Sequence, residues 1–147
     1  VVLSKAGAST FVSRLSKSPA LENDRYQREE TNQIEVESRI FSDLDDGTIE
    51  LLCIDIEGAD WYVLKNLKSR PQVISVETHG KFYANPFMME IGNWMEANGY
   101  EAWYKDNSDT VFAKKDAVTI TARDRIGLLL KDVHLHIRKL KRIFRFR

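Results

Sequence analysis

Leu51-Leu52-Cys53-Ile54-Asp55-Ile56-Glu57-Gly58-Ala59-Asp60-Trp61 is the stretch that decides the fold. An apolar run stops at two acids and a glycine, and a helical pattern takes over at once. Strands covered by helices on both faces read as short continuous apolar runs. Asp55 and Glu57 are therefore expected at the carboxyl end of a buried strand, the side on which open α/β sheets bind ligands. Gly58 permits a tight turn and lets a ligand come close to the backbone. An Asp at this point also suits a helix cap, so the residues alone leave both readings open.

Downstream, Ala59, Val63 and Leu67 recur at helical spacing, which predicts a helix from about Ala59 to Lys68, stopped by Arg70-Pro71. Gln72 to Glu77 reads as a second buried strand, and it too ends in an acid, followed by Thr78, His79 and Gly80. Strand, helix and strand in so short a span imply a right-handed crossover between parallel neighbours. Asp55 and Glu77 should then share one edge of the sheet. Asn85 and Pro86 open a further helix with Phe87, Ile91, Trp94 and Met95 on its inward stripe, and Asn98-Gly99 closes it. Tyr100–Tyr104 and Thr110–Ala113 flank a loop of turn formers and predict a β-hairpin.

Upstream the signals are weaker. Val1–Leu3 and Ala8–Ser13 are β-prone, Glu22–Gln33 is almost entirely polar, and Ile34 and Val36 alternate with acids as in a half-buried strand. Ile40–Leu44 suits one helical turn, and Asp45-Asp46-Gly47 signals a reversal.

The 147 residues suit one domain with a real core. Twenty-two basic residues balance 22 acidic ones, so net charge gives no case for a nucleic-acid partner and none is expected. Cys53, the single cysteine, excludes an intrachain disulfide and fits a reducing, cytoplasmic setting, where it is expected as a small buried hydrophobe. No apolar stretch is long enough to span a membrane, and the first residues do not read as a signal peptide. The chain opens with Val in what reads as mid-strand, so a piece of something longer is expected.

From about Asp124 the pattern is helical. Ile126, Leu129, Val133, Ile137, Leu140 and Phe144 fall on one face, with Arg138, Lys139, Arg142 and Arg145 crowding the others. Such a basic amphipathic tail, over 124–147, can pack on its own sheet, meet a twin subunit as a homo-oligomer contact, or lie peripherally on an anionic membrane.

Asp55, Glu57, Glu77 and His79 are the candidate chemistry. Two carboxylates at adjacent strand ends can hold a hard divalent cation such as Mg2+. One can instead act as a general base with its pKa raised by its neighbour. His79 could take a proton from an attacking hydroxyl near neutral pH.

Ile54-Asp55-Ile56-Glu57-Gly58-Ala59-Asp60, with Val63-Leu64 and Leu67 after it, resembles the hallmark of the FkbM-type methyltransferases, a strand ending in Asp-x-Glu-Gly-Ala-Glu and then a helix. Val76-Glu77-Thr78-His79 is similar to the end of their next strand, and Asn98-Gly99-Tyr100 to the opening of their final hairpin. The likeness runs from roughly Ile34 to Lys114, with Asp60 standing where the family usually has Glu. It implies an α/β fold of the class I methyltransferase (Rossmann-like) kind, a mainly parallel sheet with an antiparallel C-terminal hairpin, here N-terminally incomplete. Residues 1–115 would be the partial methyltransferase domain and 116–147 the helical tail.

The resemblance further implies methyl transfer from S-adenosyl-L-methionine, usually to an oxygen of a small molecule or sugar. Asp55, Glu57 and His79 would be catalytic, Asp55 and Gly58 would face the cofactor, and Glu77 and His79 would line the acceptor side. A metal ion shared by Asp55 and Glu77 is a further expectation. The family's glycine-rich cofactor loop has no counterpart in this sequence, so the polypeptide by itself is expected to bind the cofactor weakly and to be inactive. Two other readings stand beside this one: a metal-dependent nuclease-like domain, with His79 where such sites carry Lys, and a non-catalytic truncated domain docked through its tail.

Overall fold

The computed structural model describes residues 1–7 and 9–145, with the side chains of 139, 140 and 142–145 left out of the description. Ala8, which the sequence places at the head of a strand, lies outside the described residues, as do the side chains of Lys139, Leu140, Arg142, Phe144 and Arg145.

The N-terminal third folds into its own antiparallel sheet. Strands β1 (Val2–Ala6) and β2 (Ser9–Val12) form a hairpin, and β3 (Gln33–Glu35) pairs with the other side of β1, giving the order β2-β1-β3. Phe11 seals its buried face, and the ring of Tyr26 meets Phe11 edge-on. Between β2 and β3 lie a short helix α1 (Pro19–Glu22), started by Ser18, and the polar segment read as a surface loop. Nothing in the periodicity signalled α1, because a four-residue helix is too short to show one.

The second sheet carries the motif. Strand β4 (Leu51–Ile54) runs into helix α2 (Asp60–Leu64) and then β5 (Val73–Glu77), and β4 and β5 pair in parallel with Ile54 opposite Val76, as the crossover reading requires. Helix α3 (Met88–Ala97) leads to the hairpin β6 (Tyr100–Lys105) and β7 (Asp109–Lys114), which joins β5 antiparallel, so the order is β4-β5-β7-β6. Ile54, Leu64, Leu67, Ile74, Val76, Ile91, Met95 and Tyr100 form one core. Burial of each of these large apolar side chains contributes about 1.5–3 kcal/mol.

Three expectations are corrected. The chain is mixed α/β, but its sheets are not mainly parallel: among the described residues β4–β5 is the one parallel strand pair. Strand β4 is an edge strand with one open face, so Leu51 is 63% exposed and Cys53 is exposed rather than a buried hydrophobe. An apolar run records the capacity for burial on both faces, not the presence of a cover. Helix α2 ends at Leu64 instead of continuing to Lys68. Beyond it the turns tighten, with Leu67 N–H donating to Leu64 O, while the Lys68 and Ser69 amides turn away to the buried Asp45 carboxylate.

Candidate functional site

The carboxyl ends of β4 and β5 face the same way, as their register requires, and four acids gather there. Asp55 follows Ile54 directly, Glu77 closes β5, and Glu57 and Asp60 come from the turn and first residue of α2. Asp109 adds a fifth carboxylate, because β7 pairs with β5 so that Asp109 sits opposite Glu77. The site thus draws on β4, the β4–α2 turn, β5 and the hairpin.

The turn is strained. Glu57 adopts φ of 56°, a left-handed conformation that L side chains rarely take outside sites that need it. Gly58 follows at φ of 94°, and a Cβ there would lie 2.8 Å from the Tyr83 hydroxyl and 3.1 Å from the Lys17 carbonyl. The close approach that Gly58 permits is therefore, first of all, that of Tyr83 and of the chain between β2 and α1. The capping reading of Asp55 finds no support, since Ala59 is the cap position of α2 and no side chain caps it.

Burial sets the electrostatics. The Glu77 carboxyl is pushed up to about 8 by burial and by the neighbouring charges of Asp55, Glu57, Asp60 and Asp109. Asp60 is fully buried, and burial raises its pKa to about 6, with Asp55 adding to the rise and a bond from Asn85 opposing it. Burial and the surrounding acids push the Tyr83 hydroxyl up, so it stays protonated and able to donate. Burial likewise raises Asp109.

Several of these groups lack partners. Glu57 Oε2, Asp60 Oδ1, Glu77 Oε2 and the Tyr83 hydroxyl are buried polar atoms with no hydrogen bond. Such orphans are rare in folded proteins and each costs about 1–3 kcal/mol. Here they converge on one place, and three of the four can only accept while their carboxylates are ionised. The arrangement is built to receive hydrogen-bond donors and positive charge.

The fourth predicted residue is held differently. His79 Nε2 lies 2.9 Å from the Asp106 carbonyl and must donate to it, so Nδ1 accepts from the Thr78 hydroxyl at 2.7 Å. Thr78 is in turn 2.7 Å from Thr110. Burial lowers the His79 pKa, and the ring stays neutral in this chain of bonds. With both nitrogens engaged, His79 ties the end of β5 to the β6–β7 loop and has none free for an attacking hydroxyl. It also lines a cleft with Lys81, Phe82, Tyr83, Met88 and residues of the tail.

Tyr83, Asn85 and Asn23 were missed by sequence reasoning. Asn85, expected as a helix cap, donates to Asp60 Oδ2 at 2.7 Å and to the Glu77 carbonyl at 2.9 Å, while its own Oδ1 accepts from Phe87 N–H. Asn23 Oδ1 accepts from the Phe82 and Tyr83 amides and so fixes the loop that carries Tyr83. The polar loops holding these residues have no periodicity to place them. Asp109 could have been found, since a hairpin returning antiparallel to β5 must bring some residue of its turn opposite Glu77.

The pair expected to share a metal ion gains no support: among the described residues no group of three or more His, Cys, Asp or Glu side chains is arranged to hold one. Comparison with known families finds the methyltransferase FkbM domain matching residues 1–102, beginning earlier than the motif-based likeness and ending within β6. No curated protein and no solved structure matches the chain.

Proposed function

The chain belongs to the FkbM methyltransferase family, and from that membership we propose that it serves methyl transfer from S-adenosyl-L-methionine to a hydroxyl oxygen of a small molecule or sugar, with the acid cluster as the reacting edge of the site. The observation that carries the reading is the set of buried, unpartnered oxygens on Glu57, Asp60, Glu77 and Tyr83 at the carboxyl ends of β4 and β5. An acceptor-rich, negatively charged lining fits a cofactor whose methyl sits on a sulfonium and a substrate whose hydroxyls donate hydrogen bonds. Bound there, S-adenosylmethionine would supply an electrophilic methyl group, and the chain's own residues would have to align the acceptor and take up its proton.

The residues divide these tasks. Asp55, at the mouth of β4, would hold the methyl-bearing end of the cofactor, with Gly58 keeping the turn beneath it close to Tyr83. Glu77 takes the hydroxyl proton onto its carboxylate, and a pKa of about 8 places it near the pH at which it works as a base. Glu57 holds a hydroxyl of the acceptor, the Tyr83 hydroxyl donates to one of its oxygens, and the buried Asp60 supports the site from beneath through Asn85. His79 acts by positioning, through its bonds to Thr78 and Asp106. The nuclease-like reading gains nothing from the metal geometry.

The test is transfer of labelled methyl from S-adenosylmethionine to a panel of sugars and small alcohols by the full-length protein. Glu77→Gln is expected to lower kcat on the order of 100-fold, the range of a lost general base. Undiminished transfer by both Glu77→Gln and Asp55→Ala would take the acid cluster out of the reaction.

A further inference from the structure

Helix α4 (Ala122–Arg145) begins at a capping pair in which the Asp124 carboxylate accepts from the Thr121 amide and hydroxyl, at 2.8 and 2.6 Å. It runs along β6, and its polar contacts with the body are specific. Asp132 pairs with Lys105 at 2.6 Å, Arg125 meets Glu101 at 3.2 Å, and Lys131 donates to Asn107 at 2.8 Å. Leu128 and Leu135 are half-buried on this side.

The other side is the apolar one. Ile126, Leu129, Leu130, Val133 and Ile137 are between 45% and 64% exposed, and four of them keep the helical spacing that makes a single stripe. An amphipathic helix ordinarily turns such a stripe to its own core. This one turns Leu128, Leu135 and its ion-pairing residues to the body and leaves the stripe outward, so of the three placements open to the tail, packing on its own sheet does not account for the stripe.

Charge identifies the cover. Residues 122–147 carry nine Lys and Arg against two acids, while the rest of the chain carries thirteen against twenty. Both acids of the helix are engaged, Asp124 at the cap and Asp132 with Lys105, and although Arg125, Lys131 and Arg138 reach Glu101 and Asn107, the segment keeps its excess of basic charge. Pairing α4 with α4 of a second copy would set two strongly positive segments side by side. An anionic surface neutralises them. No helix among the described residues is long and apolar enough to cross a membrane, which leaves lying in the interface plane.

We propose that α4 docks the protein on an anionic phospholipid surface, with Ile126, Leu129, Leu130, Val133 and Ile137 entering the boundary of the acyl region and the net basic charge of residues 122–147 attracting lipid phosphates. This surface stands apart from the acid cluster and does not depend on the reaction assigned to it.

Co-sedimentation with phosphatidylcholine vesicles, with and without phosphatidylserine, tests it. The protein is expected to pellet with the serine-containing vesicles at low salt, to be released as salt rises, and to stay in solution with neutral ones. Leu129→Glu with Leu130→Glu is expected to weaken binding about tenfold or more, as lost apolar burial dictates. Arg123→Gln with Lys141→Gln, both exposed, is expected to weaken it about tenfold as well, from lost attraction. Circular dichroism of both variants confirms that they remain folded. Equal affinity for both vesicle types, or variants that bind like the parent, overturns the proposal. So does a dimer in sedimentation velocity that Leu129→Glu disperses, since the stripe would then belong to a second copy.

Discussion

Glu77→Gln should make the protein more stable at alkaline pH and flatten the dependence of stability on pH. The folded state holds the Glu77 proton to about pH 8, while the unfolded chain releases it at about 4.5. Between those values the folded form binds more protons, so stability falls as pH rises and the loss is complete above about 8. A rise of this size corresponds to about 5 kcal/mol at full strength. Glu77 is only half-buried, and solvent screening reduces this to roughly 2 kcal/mol. Glutamine keeps the shape, removes the charge, and offers an N–H to the unpaired oxygens around it. The variant should therefore melt roughly 4–8 °C above the parent at pH 8.5 and within about a degree of it at pH 4. Thermal unfolding followed by circular dichroism across this range reads the difference. A shallower slope between pH 4 and 6 should survive in the variant, because Asp60 releases its proton at about 6 when folded. Parent and variant curves that stay parallel from pH 4 to 9 would refute the claim that Glu77 is destabilised by its neighbours, and with it the reading of the cluster as a site awaiting positive charge.

Other outcomes follow from single contacts. Gly58→Ala should cost about 1–3 kcal/mol from its left-handed backbone, and adding Tyr83→Phe should restore part of it by removing the hydroxyl that the new Cβ meets at 2.8 Å; an additive double-mutant cycle would contradict this. Asn85→Ala should lower stability by about 1–3 kcal/mol, because it strips the buried Asp60 of its side-chain donor, with the loss read by urea denaturation. Asp45 should govern the acid limb. Although burial pushes its pKa up, the Ser69 hydroxyl and the amides of Ser69, Gly47 and Lys68 hold it down to about 2. Its contribution is present above about 3.8 and lost as pH falls toward 2, so Asp45→Asn should be less stable at neutral pH and should lose that part of the acid transition. His79→Gln should alter the exchange protection of the Ser108 amide region more than it alters kcat, if the ring positions the hairpin loop; a large kcat loss with unchanged protection would restore it as a proton acceptor.

Local signals carried a good part of this protein. The apolar run ending at Asp55, the glycine after it, and the second run ending at Glu77 set the β4–α2–β5 unit and its parallel pairing, because punctuation and periodicity are properties of neighbouring residues. The same holds for α3, with its buried Ile91 and Met95, and for the β6–β7 hairpin. What only the tertiary structure decided lies between segments far apart in the chain. Asn23 reaches the Tyr83 loop across sixty residues, Asn85 bonds Asp60 across twenty-five, and Asp45 gathers amides beyond α2. Periodicity says which side chains share a face; it does not say what covers that face. That is why Cys53 and the stripe of α4 could be read as core yet stand open to solvent, and why the motif's acids became a candidate site only when burial and a tyrosine from another loop left their oxygens without partners.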